Sequence, residues 1–421
     1  EPVAAAIKNL DAEASNILVR TLTPQARILR AGATILNMAF IPTNIIRDIQ
    51  NAMFLTRAEQ GLKGTAELIF SYPMALASAA KRDDLYQDWL RQGGAHATLT
   101  EQLFRRPQIT VQSLAGIKPP LYRRVATAIP DAIRYLGETG EQATRLARYK
   151  AGLTLGETPT EAAIKSRDVT VDFSKAGTIG KILNQVIPFL NANIQGAERL
   201  GHAWKQNPKQ AALMAGTFIG FPAMLLYILN RSFDDYNDIP QYERDLNWII
   251  IYKDRTPQER AERKPLYAIK APKGQIISPV ANAIENFLRF VDNNHPRSVP
   301  EFFATFIEDI SPIGFPYNRE AMGKSLSRIL PPGLRAGIEA TTGQSLFRGQ
   351  PIVPEYMQDV APAEQYTQYT PELYKQIGQL FNVSPLQLEN IVQTTTGGVG
   401  RQVGRVLSGY IFGGTGGEIG R

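Results

Sequence analysis

The chain has 421 residues, 46 Lys and Arg against 39 Asp and Glu, a formal charge of +7 and no cysteine. That length holds two to four structural units at roughly 100 to 200 residues each. The cysteine count excludes disulfide scaffolding, thiolate metal sites and a cysteine nucleophile; His96, His202 and His295 are far apart and lack a carboxylate at ligand spacing, so they read as surface or packed imidazoles.

The basic balance, with a pI near 9.4, suits a chain that meets polyanions, either nucleic acid or anionic headgroups. Glu1 comes first and no charged leader precedes a short apolar run, so the chain reads as a piece of a longer or processed product without a secretory signal.

Apolar residues recur at helical spacing through the first half. Thr23 with Pro24, Thr158 with Pro159, Thr370 with Pro371 and Ser384 with Pro385 predict four helix starts. Thr158 and Glu161 together predict a reciprocal capping box. The uncharged stretches "AGATILNMAFIPTNII" (31–46) and "LIFSYPMALASAA" (68–80) carry prolines and are too short or too polar to span a bilayer alone. Singly each reads as core; together they describe a chain able to exchange protein neighbours for lipid.

From Lys118 to Arg167 nine basic and five acidic residues are interleaved with Tyr122, Tyr135 and Tyr149. Arg123, Arg124, Arg134, Arg145, Arg148 and Lys150 are the candidate DNA-facing residues there, although a solvated helix face fits the pattern equally well. Further on, Asp172 and Ser174 offer caps and Pro188 kinks or starts a helix.

"AALMAGTFIGFPAMLLYILN" (211–230) has no formal charge, with Lys205 and Lys209 before it and Arg231 after it. Twenty helical residues reach about 30 Å, the thickness of a bilayer's hydrocarbon core. Ala212, Gly216 and Gly220 fall four apart, the small-residue spacing that lets helices approach closely, and Pro222 is tolerated where neighbours satisfy the freed carbonyl. Two readings follow: a membrane span, or the central helix of a large oligomer, whose all-round apolar surface is also buried.

"NWIIIYK" (247–253) and "PLYAIKAP" (265–272) predict a β-hairpin with a long loop. Turns follow at 292–300 and 312–318, then more helix. The tail from Ile391 to Arg421 has ten glycines in 31 residues and reads as a flexible terminus or a close-packed strand of an assembly. The fold class is mainly α, a multi-helix extended assembly subunit with one small β-hairpin subdomain. Its organisation is a helical domain with basic amphipathic helices (1–205), a long apolar helix (206–232), a hairpin-containing subdomain (233–300) and a C-terminal helical region with a Gly-rich tail (301–421).

Motifs for chemistry are near misses. "NREAMGKS" (318–325) ends like a phosphate-binding loop but has Asn318 where that loop needs glycine, and the glycine runs at 397–400 and 413–417 lack dinucleotide spacing. Asp234, Asp235 and Asp238 lack the glycine turn and distal glutamate of a calcium loop. Glu157 and Glu161 would need a cleft to cleave a glycan, and capping accounts for Glu161. The chain therefore reads as non-enzymatic, with no catalytic residues, metal or cofactor.

Five phrases, in order, carry a resemblance: "MAFIPTNIIRDIQNA" (38–52), "VDFSKAGTIGKILNQVIPFLNANIQGAERL" (171–200), "DDYNDIPQYERDLNW" (234–248), "ILPPGLRAGIEATTGQSLFRGQPIVP" (329–354) and "AEQYTQYTPELYKQIGQLFNVSPLQLENIV" (363–392). Together they resemble a large polyvalent protein associated domain, a helical region near the end of very large proteins of tailed bacteriophages. The resemblance implies part of an internal virion protein, stored in the capsid and ejected before the genome, that oligomerises into an internal core or a trans-envelope conduit for DNA. The partners it implies are other copies, other internal virion proteins, the portal, non-specific double-stranded DNA and the host inner membrane; the location is the virion interior, then the host envelope. Murein-cleaving and polymerase motifs carried elsewhere in some family chains are missing here. The alternative is a capsid-internal scaffold or portal-contacting DNA-binding module that never inserts in a membrane.

Freedom from disulfides and locally folding helices suit a chain that must unfold to pass a narrow portal. A glycine-faced apolar helix suits a ring of copies.

Overall fold

The structure, a computed structural model, describes residues 17–34, 37, 40–94, 121–171, 183, 186–262, 264–292 and 298–412, with the side chains of these apart from 17–20, 121–131, 133, 134 and 410–412. Asp172, Ser174, His96, His295 and the glycines beyond 412 lie outside the described residues, as do the side chains of Arg123, Arg124 and Arg134.

Helices dominate, with one long hairpin and one very short one. α1 (Ile17–Ala33) carries Pro24 inside it, so the start expected at Thr23 is a helix interior instead. α2 (Phe40–Lys81) takes up residues 40–46 of the first proline-bearing apolar stretch, whose residues 31–33 end α1, and all of the second, and it kinks at Gly61, whose φ of 68° a side chain would resist. α3 (Asp84–Arg91), α4 (Leu121–Thr154) and α5 (Pro159–Asp168) pack against α2 or one another.

The core between these helices is built largely from alanine: Ala52, Ala75, Ala79, Ala143, Ala147, Ala151, Ala162 and Ala163 are all buried, around Trp89, Leu68, Leu146 and Tyr149. Small side chains let the axes approach closely, and the two polar aromatics find partners there. Trp89 Nε1 donates to Ser166 Oγ at 2.9 Å and Tyr149 Oη to Asp88 Oδ2 at 2.5 Å. Thr158 caps α5 by accepting from Glu161 N, yet the Glu161 carboxylate pairs with Lys165 instead of turning back. A true reciprocal box forms at Thr256 and Glu259, at the start of a short helix in the hairpin loop.

α6 (Leu190–Gln206) begins two residues after Pro188, and α7 (Pro208–Asn230) contains a π-helical turn at Ala215–Gly220. Then come α8 (Gln241–Leu246), β1 (Asn247–Ile251), α9 (Pro257–Ala261) and β2 (Ala268–Pro272). The strands pair antiparallel with Asn247 opposite Pro272 and Ile251 opposite Ala268, as the β-branched run predicts. α10 (Ser278–Val291), α11 (Val299–Ile310), α12 (Arg319–Ile329) and α13 (Pro332–Thr342) follow, the last leading into the two-residue strands β3 (Gln344–Ser345) and β4 (Gln350–Pro351).

α14 (Glu372–Phe381), α15 (Pro385–Thr396) and α16 (Gly398–Phe412) close the described chain. Glu339, fully buried, stitches this region: it accepts from Arg335, Leu346 N, Asn390 and Thr394. Up to residue 412 the glycine-rich tail is helical, contrary to both forms expected of it, because its glycines allow close approach. A Cβ on Gly404 would lie 2.9–3.0 Å from the Tyr374 ring and hydroxyl, and one on Gly32 of α1 would lie 1.7 Å from the Thr396 carbonyl oxygen. α1 thus packs onto α13, α15 and α16, joining the two ends of the described chain.

Candidate assembly surface

α7 has two apolar faces with different fates. Its inner face, Ala211, Met214, Ala215, Ile219 and Ala223, joins a core with Phe54, Leu55, Leu200, Ile276 and Ala281. Tyr227 continues the line into a second core with Tyr236, Ile239, Ile249 and Ile251.

Polar groups fix the C-terminal end of that face. Asn230, buried, donates from Nδ2 to Ile249 O at 2.7 Å and accepts from Ile251 N at 3.0 Å. Its carboxamide therefore serves as a third strand segment beside β1. Tyr227 Oη donates to Asp292 Oδ2 at 2.8 Å and Arg231 reaches the same oxygen at 2.6 Å. The Asp292 carboxyl is held below its usual range by the Arg231 bond first and the Tyr227 bond second.

The outer face is apolar and open. Leu213, Phe218, Phe221, Met224, Leu225, Ile228 and Leu229 project from it, with Phe221 57% and Leu229 51% exposed. Only 28% of the helix's apolar window is buried, whereas the central helix of a single soluble core would be buried nearly all round. α10 packs on α7 and α11 on α10; both turn large apolar residues outward as well, Phe287 and Val291 from α10 and Val299, Phe303 and Ile307 from α11. Phe287 meets Phe302 edge-on at 6.4 Å, so the apolar surface passes from one helix to the next. An exposed contiguous surface of this kind marks an interaction site.

The small-residue candidates divide between the faces. Gly220 is buried, where an added Cβ would lie 3.1 Å from Ile284 Cδ1 and 3.0 Å from Ala215 O; Gly216 faces open space, and Ala212 is exposed. The π turn, closed by Phe221 N donating to Gly216 O, sets Ala215 and Gly220, five apart, on the same inner side. Pro222 follows that turn by two residues; a proline has no N–H and its ring clashes with the carbonyl four residues back, and a widened turn relieves both.

The basic candidates on α4 are turned inward where they are described. Arg145 and Arg148 are buried, and both correct the expected DNA-facing set. Arg145 donates to Thr170 Oγ1 at 2.6 Å, Glu141 Oε1 at 2.7 Å and Val171 O at 3.3 Å. Arg148 donates to Glu59 at 2.7 Å and to both oxygens of Glu157 at 2.9 and 3.1 Å. A buried guanidinium paired with groups inside the fold is not presented to a phosphate outside it. Lys150 is half-buried.

Glu157 is thereby a structural anion: burial pushes its carboxyl up, but the bonds from Arg148 and Lys165 outweigh burial and hold it at about 2. Asp235, fully buried, is neutralised by Arg255 and Arg260, and Asp234 and Asp238 by the same two arginines. Among the described residues no group of three acidic or imidazole side chains could hold a metal ion. His202 is exposed and hydrogen-bonds Gln206. Sequence reading missed Asn230 and the outward residues of α10 and α11. The available signal was an amide closing an apolar run, followed by two amphipathic helices.

Residues 233–419 match the family model for large polyvalent protein associated domain 38. The match begins three residues after α7 ends and takes in the hairpin and the C-terminal helices. No curated protein and no solved structure matches the chain.

Proposed function

We propose, on the premise that residues 233–419 carry a large polyvalent protein associated domain, that this chain is a structural segment of a phage internal virion protein. In this reading copies assemble through the open apolar face of α7, α10 and α11 into the internal core, and the same face meets other copies or acyl chains when the protein is delivered to the host envelope. The role is assembly and not catalysis. The partners are further copies of the chain, other internal virion proteins and the portal, with double-stranded DNA held without sequence preference by basic residues other than Arg145 and Arg148.

One observation supports this reading most: seven large apolar side chains on one face of a 23-residue helix stand open while the opposite face is bolted to the chain by Asn230 and Tyr227. Covering the exposed halves of those seven contributes on the order of 5–10 kcal/mol before the entropy of association is counted. The bolted inner face favours a helix presented sideways to its partner over a lone span surrounded by lipid.

The experiment is the mass of the full chain in solution by light scattering, together with leakage of dye from anionic liposomes at pH 5 and pH 7. A homo-oligomer supports the assembly role, and leakage supports the envelope step. A monomer that leaves liposomes intact at both pH values overturns the reading.

A further inference from the structure

A cleft of about 730 Å³ lies where α1, α2, α4 and α6 face α8, α10, α11, α12 and α13. Its volume is that of a small-molecule site. It is kept open by small residues: Gly137 and Gly196 line it, and an added Cβ at either would meet nothing nearer than 4.0 Å and 3.7 Å. Glycine within a helix is less stable than alanine by about 1 kcal/mol, so here the space is maintained against local preference.

Three carboxyls on the wall have no ion pair among the described residues. Asp48 is 8% exposed; its Oδ2 accepts from Asn44 Nδ2 at 2.8 Å, and no hydrogen bond from a described residue reaches its second oxygen. Asp245 accepts from Gln241 Nε2 at 2.7 Å and Asp309 from Asn282 Nδ2 at 3.3 Å. None of the three has an ion pair among the described residues.

By contrast, most of the cations on the wall are committed. Arg328 holds Glu308 at 3.0 Å, Arg335 holds Glu339 at 3.0 Å and Lys324 holds Glu320 at 3.0 Å. Arg199 bonds Gln195 and the Thr170 carbonyl. Arg47 is the one lining cation with neither ion pair nor hydrogen bond among the described residues. Three of the wall's five carboxyls are therefore without an ion pair among the described residues, while of its five cations Arg47 alone has no bonded partner there.

We propose that this cleft binds an aliphatic ammonium ligand, its amino groups paired with Asp48, Asp245 and Asp309 and its hydrocarbon chain lying on Ile41, Ile45 and Leu330. Either a free diamine or a lysine side chain presented by a peptide has this chemistry.

Protonation supports the assignment. Burial first, and then the charge of Glu141, push Asp48 up to about 8 against the opposing charges of Arg145, Arg199 and Arg47. Burial first, and then Asp245, push Asp309 to about 7, with Glu308 adding to the rise and Asn282 and Lys324 opposing it. Burial also raises Asp245, against Lys324, Gln241 and Lys273, with Glu285 adding to the rise. Each carboxyl is pushed toward its protonated form because burial outweighs the cations near it and none of them is ion-paired to it, and a bound ammonium group would favour loss of that proton. Aliphatic amines stay charged to about pH 10, so affinity rises with pH.

The test is calorimetric titration of the full chain with cadaverine, with N-acetyl-lysine amide and with the uncharged 1,5-pentanediol. Saturable binding of cadaverine, at least tenfold tighter at pH 8.5 than at pH 6 and at least tenfold weaker in Asp48→Asn and in Gly196→Leu, supports the site and a free amine. The same pattern with the lysine amide alone supports the site with a peptide as the source. Gly196→Leu projects into the cleft, where its Cβ would lie 3.7 Å from Gln275, and circular dichroism of both variants checks that lost binding is not lost folding. No saturable binding of either amine overturns the proposal. So does equal binding of the diol, affinity that is flat with pH, or wild-type affinity in both variants.

Discussion

Asn230 accepts the backbone N–H of Ile251 at 3.0 Å while donating to the carbonyl of Ile249 at 2.7 Å, so the last residue of α7 is hydrogen-bonded into the hairpin. A helix that sequence alone allows to stand free in a bilayer is thus tied along one side to its own chain. The tie places the outer face, and no other, at the disposal of a partner.

Replacing Asn230 by alanine leaves a buried donor and a buried acceptor of β1 without partners. The expected loss is about 3 kcal/mol of unfolding free energy, read from urea denaturation midpoints. Association of the molecules that remain folded is expected to be unchanged, because Asn230 is not on the outer face.

The two sides of α7 are separable by substitution. Phe221→Glu places a charge on the exposed face and is expected to leave the helical circular dichroism and melting temperature near wild type while reducing assembly at least tenfold by light scattering. Gly220→Lys drives a side chain into Ile284 and the Ala215 carbonyl, and is expected to lower stability by at least about 3 kcal/mol. Equal effects of the two variants on folding would contradict the division of faces.

Arg148 joins Glu59 on α2 to Glu157 beyond α4, with its own side chain fully buried. Arg148→Met leaves Glu59 without its ion pair and Glu157 with Lys165 alone, and is expected to lower stability by about 3 kcal/mol at pH 7. The Glu157 carboxyl lies below its ordinary 4.5, at about 2, so its contribution is complete above pH 4.5 and is lost as pH falls through 2. The gap between variant and wild type should therefore narrow over that window, which denaturation at pH 7, 4 and 2.5 measures.

Asp48 and Asp309 have the opposite sign. Their carboxyls sit at about 8 and about 7, above the ordinary 3.8, so the stability they contribute as protonated groups is complete below pH 3.8 and is lost as pH rises through 7 to 8. Melting temperature should fall from pH 5 to pH 8.5 in ligand-free protein. Asp48→Asn should flatten the fall and be the more stable chain at pH 8.5.

Local patterns in the sequence were good guides where the structure depends on local physics. The β-branched run at Ile249–Ile251 and its partner form the hairpin, and Ser384 and Thr158 cap the helices that follow them. The same Thr-Pro-x-Glu pattern stands at 158–161 and at 256–259, yet the reciprocal box forms only at the second. At the first, Lys165 one turn on competes for the Glu161 carboxylate; at the second, Tyr267 reaches Glu259 without displacing it.

Long-range partners were illegible. Arg145 and Arg148 look like a phosphate-facing stripe on α4 because the acid that buries Arg148, Glu59, lies 89 positions away in sequence. The two faces of α7 are equally apolar, so composition could not say which is covered. Glycines in the tail suggested a strand or a loose end because a lone sequence cannot show that Tyr374 and α1 require them for close packing.

The outer face of α7 offers the most direct measurement. The chain has no cysteine, so a single one introduced as Phe221→Cys reports that position alone, with the exposed Gln376→Cys as the reference. Under conditions where the full chain assembles or meets anionic liposomes, a water-soluble maleimide should modify position 221 at least tenfold more slowly than position 376. Equal rates at both positions, in a protein that remains monomeric, would contradict the claim that this face is covered when the protein works.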